Sequence, residues 1–450
     1  MIFTELKSLA RLATPIAAAQ AGFALMGLVD TAVVGRLGAG PLGAVGLANG
    51  LFIGLAVVGM GAVMGLDPLF AQAFGARDLT RARALLWQGV WLSLVVSIPI
   101  GLCIAFTPLL LEPFGITGAV AADARAFVYW RLPGLFPMVA FTAVRAYVQA
   151  AGAPNSLLVA TVVANVANLG LDVLFVFGGS GPLSFIPPMG AAGAGLATSL
   201  CTVVQLAVLI AAASRLQKTE RPSRAPVLAD LRKALVVGAP FGLQLGAETS
   251  IFALVGLLAG KFGGASLAAN QIANVLATFT FCIALGIGQA GSVRVGWAVG
   301  AGDSPGARRA GLVAFASGAG FMTLAALGFL FAPGPLARIL TNQPDLLAST
   351  APLLAVVAAF EISDGVQGVG AGVLRGAGDT RFSFFANLVG HYCIGLPVAL
   401  LLGFHYRLGV IGLWWGLCAG LTAVAGALLW RFLRLSSRTI QPLEAHARHG

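Results

Sequence analysis

Five carboxylates, Asp30, Asp172, Glu248, Glu361 and Asp364, stand inside long apolar runs of this 450-residue chain, and a sixth, Asp67, closes another run. A charge held mid-bilayer costs at least about 2.5–3.5 kcal/mol, so each carboxylate must carry a proton, bind a cation or find a partner. Spacing sorts them. In VVANVANLGLDVLFVFG, Asn168 and Asp172 are four residues apart and share one helix face, with Asn165 a turn earlier. Asp30 and Thr198 add oxygens from two further runs, and such a hard donor set suits a proton relay or a small cation such as Na⁺. Later in the chain Gln244 and Glu248 repeat the four-residue spacing, Asn270, Gln271 and Asn274 follow, and Glu361, Asp364 and Gln367 come at intervals of three. One of Glu361 and Asp364 then faces a cavity while the other meets a polar partner. The amides could donate to a carboxylate or a substrate, or could simply hold helix to helix; the same ambiguity applies to Thr198. His391 reads as a packing residue, because one intramembrane histidine makes no site.

The elements that carry these residues follow from composition. Hydrophobic residues are 58% of the chain and charged residues 10%, where a water-facing domain needs about a quarter charged. Lipid is the solvent implied, and 60 glycines allow close helix approach. Apolar stretches near the 20 or so residues of a bilayer crossing lie at roughly 12–35, 45–70, 85–111, 125–147, 157–178, 190–214, 235–260, 267–292, 310–332, 350–374, 383–403 and 409–433. The first reads as a retained helix. Of 27 Lys and Arg, all but six (Arg36, Arg125, Arg131, Lys261, Arg338 and Arg407) fall on the side of the termini and the even-to-odd loops. The positive-inside rule then makes both termini cytoplasmic. The net charge of +11 is thus a topology signal, not a nucleic-acid footprint. No Lys or Arg is expected deep in a span beside the acids. Trp87, Trp91, Tyr129, Trp130, Trp414, Trp415 and Trp430, near span ends, read as interfacial anchors.

Sliding the chain by 225 residues puts Pro15 on Pro240, Gly38 on Gly263, Asn49 on Asn274 and Gly75 on Gly300. The expected fold is therefore all-α and integral to the membrane. Twelve helices form two six-helix bundles of one orientation, related by a pseudo-two-fold axis along the membrane normal with a cavity between them. The halves are 1–214 and 234–450, joined by a cytoplasmic linker at 215–233, with a short basic tail. No G-x-x-x-x-G-K-[ST] loop, HExxH, GxSxG or Cys/His cluster occurs, so neither an enzyme nor a cofactor is expected. The five cysteines lie in apolar runs without metal spacing.

The segments ATPIAAAQAGFALMGLVDTAVVGRLG, PLFAQAFGARD, GAPFGLQLGAETSIF, AANQIANV, GSVRVGWAVGAGD and SDGVQGVGAGVLRGAGDT occur in order along nearly the whole chain. Together they resemble the multidrug and toxic compound extrusion family, in its NorM-like branch. That resemblance implies a bacterial inner-membrane antiporter, a monomer, that exports small amphipathic, often cationic compounds as Na⁺ or H⁺ flows inward. It implies a cation site at Asp30, Asn168, Asp172 and Thr198 with the Ala194 carbonyl, and an acidic site at Glu248 and Asp364. A branch similar to DinF lacks the latter pair. Two positions depart from the pattern. Phe360 stands where some members have Tyr, and AANQ replaces AxHQ, so a sodium site there loses a hydroxyl ligand and an ionisable neighbour. The alternative is a flippase for lipid-linked precursors on a related fold, which would line its cavity with basic residues.

Overall fold

A computed structural model of the chain describes residues 2–179, 181–216 and 223–443. Linker residues 217–222, with Lys218 and Arg221, and tail residues 444–450 lie outside the described residues. Among the described residues there is no strand, and 12 helices are long and apolar enough to cross a bilayer. They are α1 (Phe3–Gly35), α2 (Ala39–Gly75), α3 (Leu79–Leu110), α4 (Gly118–Ala150), α5 (Asn155–Phe177) and α6 (Ala191–Arg215). Then come α7 (Leu228–Gly260), α8 (Gly264–Gly300), α9 (Ser304–Phe331), α10 (Pro344–Gly376), α11 (Thr380–His405) and α12 (Gly409–Ser436). The number matches the hydropathy reading. Several helices overrun their apolar stretches because polar ends such as Glu5 and Arg294 continue the helix and pair with each other, at 2.7 Å.

The sequence repeat is also a repeat of local structure. Gly38 and Gly263 precede α2 and α8 with φ of 112° and 99°, a conformation that side chains oppose. Asp78 and Asp303 cap α3 and α9, each accepting a backbone N–H three residues on at 2.8 Å, from Arg81 and Gly306. Gly75 sits on the Trp297 carbonyl, and Gly300 sits on the carbonyl of Gln72, the residue equivalent to Trp297.

Prolines make the halves differ. Pro68 lacks an N–H and would strain a continuous helix, so α2 is two segments, Ala39–Val63 and Leu66–Gly75. Its counterpart Val293 leaves α8 unbroken. Pro133 breaks α4 between Gly118–Arg131 and Leu135–Ala150, whereas α10 runs through. At that break the Ser199 hydroxyl donates to the carbonyls of Trp130 (2.8 Å) and Arg131 (3.0 Å). Backbone freed in a membrane interior needs such partners. In α11 the helix widens into π-turns at Val389–Gly395 and Leu401–His405, around Pro397.

The chain divides into two compact units that do not coincide with the halves of the sequence. The N-terminal unit comprises Ala21–Phe70 and Asp78–Gly242; the C-terminal unit comprises the chain up to Gln20, Ala71–Arg77 and everything from Leu243. The reason lies in α1 and α7. Gly238 and Gly242 of α7 rest on the backbone of α2 around Val58 and Ala62, inside the N-terminal unit. Ala17 of α1 rests on Gly286 of α8, inside the C-terminal unit.

A Cβ at Gly238 would strike the Ala62 carbonyl. Gly238→Ala should therefore destabilise the protein by about 1–3 kcal/mol, the usual cost of overpacking. Gly43→Ala, with nothing within 4 Å, should leave thermal melting in detergent unchanged or raised. Equal melting of the two variants would contradict this account of the contact.

Candidate functional site

Each unit holds its own acid cluster, with Asp30 and Glu248 half-buried and Asp172 and Asp364 buried. In the N-terminal unit α5 presents Asn168 and Asp172 on one face, both fully buried, as their spacing predicts. The Asn168 amide donates to Asp30 Oδ1 of α1 at 2.8 Å. Neither oxygen of Asp172 accepts a hydrogen bond, nor does Asn168 Oδ1. Asp172 lies within electrostatic range of Asp30. Cys201 of α6 adjoins the same groups, and Thr198 is one turn earlier. The Thr198 hydroxyl donates to the Ala194 carbonyl at 2.8 Å, so its oxygen keeps lone pairs while its proton stays on its own helix. Asn165 serves structure, donating to the carbonyls of Gly22 (3.1 Å) and Thr161 (2.9 Å).

Arg131 corrects the expectation of no deep cation. It is only 8% exposed, on the last turn before the Pro133 break, and its guanidinium stacks 4.8 Å from the Phe52 ring and 5.7 Å from Phe127. Its Nε and Nη1 donate to nothing. It interacts electrostatically with Asp30 and Asp172 without a salt bridge. The cluster thus holds two acids and one fixed base. The break in α4 is what a span-edge reading could not locate.

In the C-terminal unit the amides converge. Glu248 Oε1 accepts from Gln244 at 2.9 Å and from Gln367 at 2.6 Å. Gln367 also donates to Asn387 Oδ1 at 2.9 Å, Asn387 donates to the Ser383 carbonyl at 2.9 Å, and the Ser383 hydroxyl donates to Gln244 Oε1 at 2.8 Å. The ring of bonds joins α7, α10 and α11. Ser383 and Asn387 were missed in the sequence, though they too are four residues apart. Asp364 is 6% exposed and lies within electrostatic range of Glu248 and Glu361. Glu361 is fully buried with neither oxygen hydrogen-bonded. Thr280 faces it but gives its proton to the Leu276 and Ala277 carbonyls. Both members of the pair are buried, and Thr280 is the polar side chain that faces Glu361.

Other amides fall outside this network. Asn270 accepts from Trp414 Nε1 at 2.9 Å. Trp414 is 1% exposed and edge-on to Phe360 at 5.3 Å, so it is a core residue and not an interfacial anchor. Phe360 presents an apolar wall where a tyrosine would offer oxygen. Gln271 is exposed and Asn274 half-buried, and neither joins the Glu248 ring. His391 is 1% exposed in the first π-turn of α11, with both ring nitrogens unpartnered.

Gln367 bridges two acceptors. Gln367→Leu leaves Glu248 and Asn387 each short of a donor and should cost about 1–3 kcal/mol, read as a lowered melting temperature. An unchanged melting temperature would mean the bridge contributes nothing.

The MatE family model matches residues 15–174 and 240–401. The multidrug resistance protein NorM of Burkholderia vietnamiensis is 34% identical over 443 residues, covering 96% of this chain and 95% of that protein. Among solved structures, a eukaryotic MATE transporter superposes with a TM-score of 0.86 at 22% identity, covering 99% of both chains. An outward-facing multidrug resistance MATE family transporter of the MOP superfamily gives 0.85 at 23%, covering 96% of both. The resemblance carried by the sequence motifs holds over both halves: the chain is a multi-pass membrane protein and belongs to the MatE family.

Proposed function

We propose that the protein is a secondary active multidrug exporter that releases amphipathic, often cationic compounds in exchange for inward H⁺ or Na⁺. The observation that carries the proposal is the pair of acid clusters, Asp30/Asn168/Asp172 and Gln244/Glu248/Gln367 with Asp364, in which Asp30 and Glu248 are half-buried and the others buried. The name of the Burkholderia relative supports the substrate class. A buried carboxylate that accepts no hydrogen bond needs a positive charge, and either the coupling cation or the substrate can supply it.

With Asp30 and Asp172 ionised and Arg131 fixed, the N-terminal cluster carries one net negative charge, which one monovalent cation neutralises. The Asp172 oxygens, Asn168 Oδ1, the Thr198 oxygen and the Ala194 carbonyl would receive that cation. Loading from outside removes the negative charge that holds a cationic substrate, and the substrate leaves. The cation then departs to the cytoplasm and restores the site. Linkage of this kind requires only that the two ligands prefer different states of the protein. Glu248 and Asp364 form a second centre of the same kind, and Gln271 and Asn274 are available to substrate. The exchange needs no cofactor beyond the coupling cation, and the protein works as a monomer in the bacterial inner membrane with both termini cytoplasmic. Arg131 lies within electrostatic range of two acids, which does not favour a flippase that binds pyrophosphate.

The test is ethidium efflux from proteoliposomes with Na⁺ and proton gradients imposed separately. Wild type should respond to one of them. Asp30→Asn, Asp172→Asn and Glu248→Gln should each slow efflux at least tenfold with folding intact. Normal efflux in all three would overturn the scheme.

A further inference from the structure

The N-terminal unit contains a second feature, remote in kind from the acid clusters: a cavity of about 330 Å³ among α3, α4 and α6. Its lining changes along the helices. Arg83 and Trp87 lie in the first turns of α3, and Ser214 lies in the last turn of α6. At a rise of about 1.5 Å per residue, Val90 on α3 and Leu206 on α6 are about 10–12 Å deeper than Arg83 and Ser214. Phe136 on α4, about 16 Å along the helix from Tyr147, lines the deep end. The cavity is thus cationic and polar at one end and hydrocarbon at the other.

Its walls are partly exposed. Val90, Phe136 and Leu206 are half-buried, not sealed in the bundle. A long apolar chain can therefore enter from the bilayer without crossing water. The mouth lies level with further cations: Arg224 stacks 4.8 Å from the Trp87 ring, and Arg215 ends α6. Three guanidinium groups at the headgroup level repel a cationic drug and attract phosphate, and basic pockets between transmembrane helices commonly select anionic lipids. A tryptophan at that depth is suited to the boundary between headgroup and chain.

We propose that this cavity binds one acyl chain of an anionic phospholipid, with its phosphate held at the Arg83 end. The lipid would fasten α3, α4 and α6 together at the basic side of the membrane. This inference is independent of the exchange reaction, because none of these residues belongs to either acid cluster.

The test uses the full chain in phosphatidylcholine nanodiscs with or without phosphatidylglycerol, followed by native mass spectrometry of retained lipid. Wild type should retain one phosphatidylglycerol with a several-fold preference over phosphatidylcholine. Arg83→Gln should lose the preference, Ala140→Phe, which fills the cavity, should lose retention of both lipids, and Arg215→Gln should keep at least part of the preference. Because Ala140→Phe can misfold, a second readout is quenching of Trp87 fluorescence, taken as wild type minus Trp87→Phe. Brominated-chain phosphatidylglycerol should quench it more than brominated phosphatidylcholine. Full preference in Arg83→Gln, or equal quenching by both lipids, would overturn the proposal.

Discussion

A carboxylate inside a bilayer cannot stay charged and unpartnered, and the interior of this protein is organised around that constraint. Water would solvate Asp172 and Glu361; lipid and apolar side chains do not. The two units meet the demand differently. The N-terminal cluster leaves both Asp172 oxygens without hydrogen bonds, gives Asp30 one from Asn168, and sets a guanidinium within electrostatic range of both acids. The C-terminal cluster wraps Glu248 in side-chain amides. Buried charge with incomplete hydrogen bonding destabilises a fold, and such groups in membrane spans mark ion pathways more often than structural glue.

The asymmetry has a simple origin in proline. Both halves start from one pattern of caps and glycine contacts, repeated at Asp78 and Asp303 and at Gly75 and Gly300. Pro68 and Pro133 then break α2 and α4 in the first half only. Arg131 stands at the second break, and the Ser199 hydroxyl of α6 donates to the carbonyls of Trp130 and Arg131 there. The second half has its own irregularity in α11, where π-turns carry His391. Such turns recur at functional positions in helices.

Much of this was legible in the residues. Twelve spans follow from runs of apolar side chains, the repeat from one constant offset, and the pairs Asn168/Asp172 and Gln244/Glu248 from helical spacing. Spacing identifies a face but does not say which neighbour that face meets. Trp414 therefore reads as an anchor and is core, and Asn270, whose type fits either a substrate contact or a link between helices, accepts from that tryptophan. Arg131 was counted with a loop, because a side chain near a span end is usually drawn to water and only the break in α4 holds it inside. The interchange of α1 and α7 segments between the two compact units depends on close backbone contacts at Ala17 and Gly242. No periodicity in the sequence encodes those.

The central claim is that substrate and coupling cation compete for the same buried negative charge. It is tested most directly by titrating ethidium into the purified protein in weakly buffered detergent while recording released protons and Na⁺. Binding should release one of the two ions, and Asp172→Asn should bind ethidium with the release diminished. Binding by wild type with no release of either ion would contradict the account.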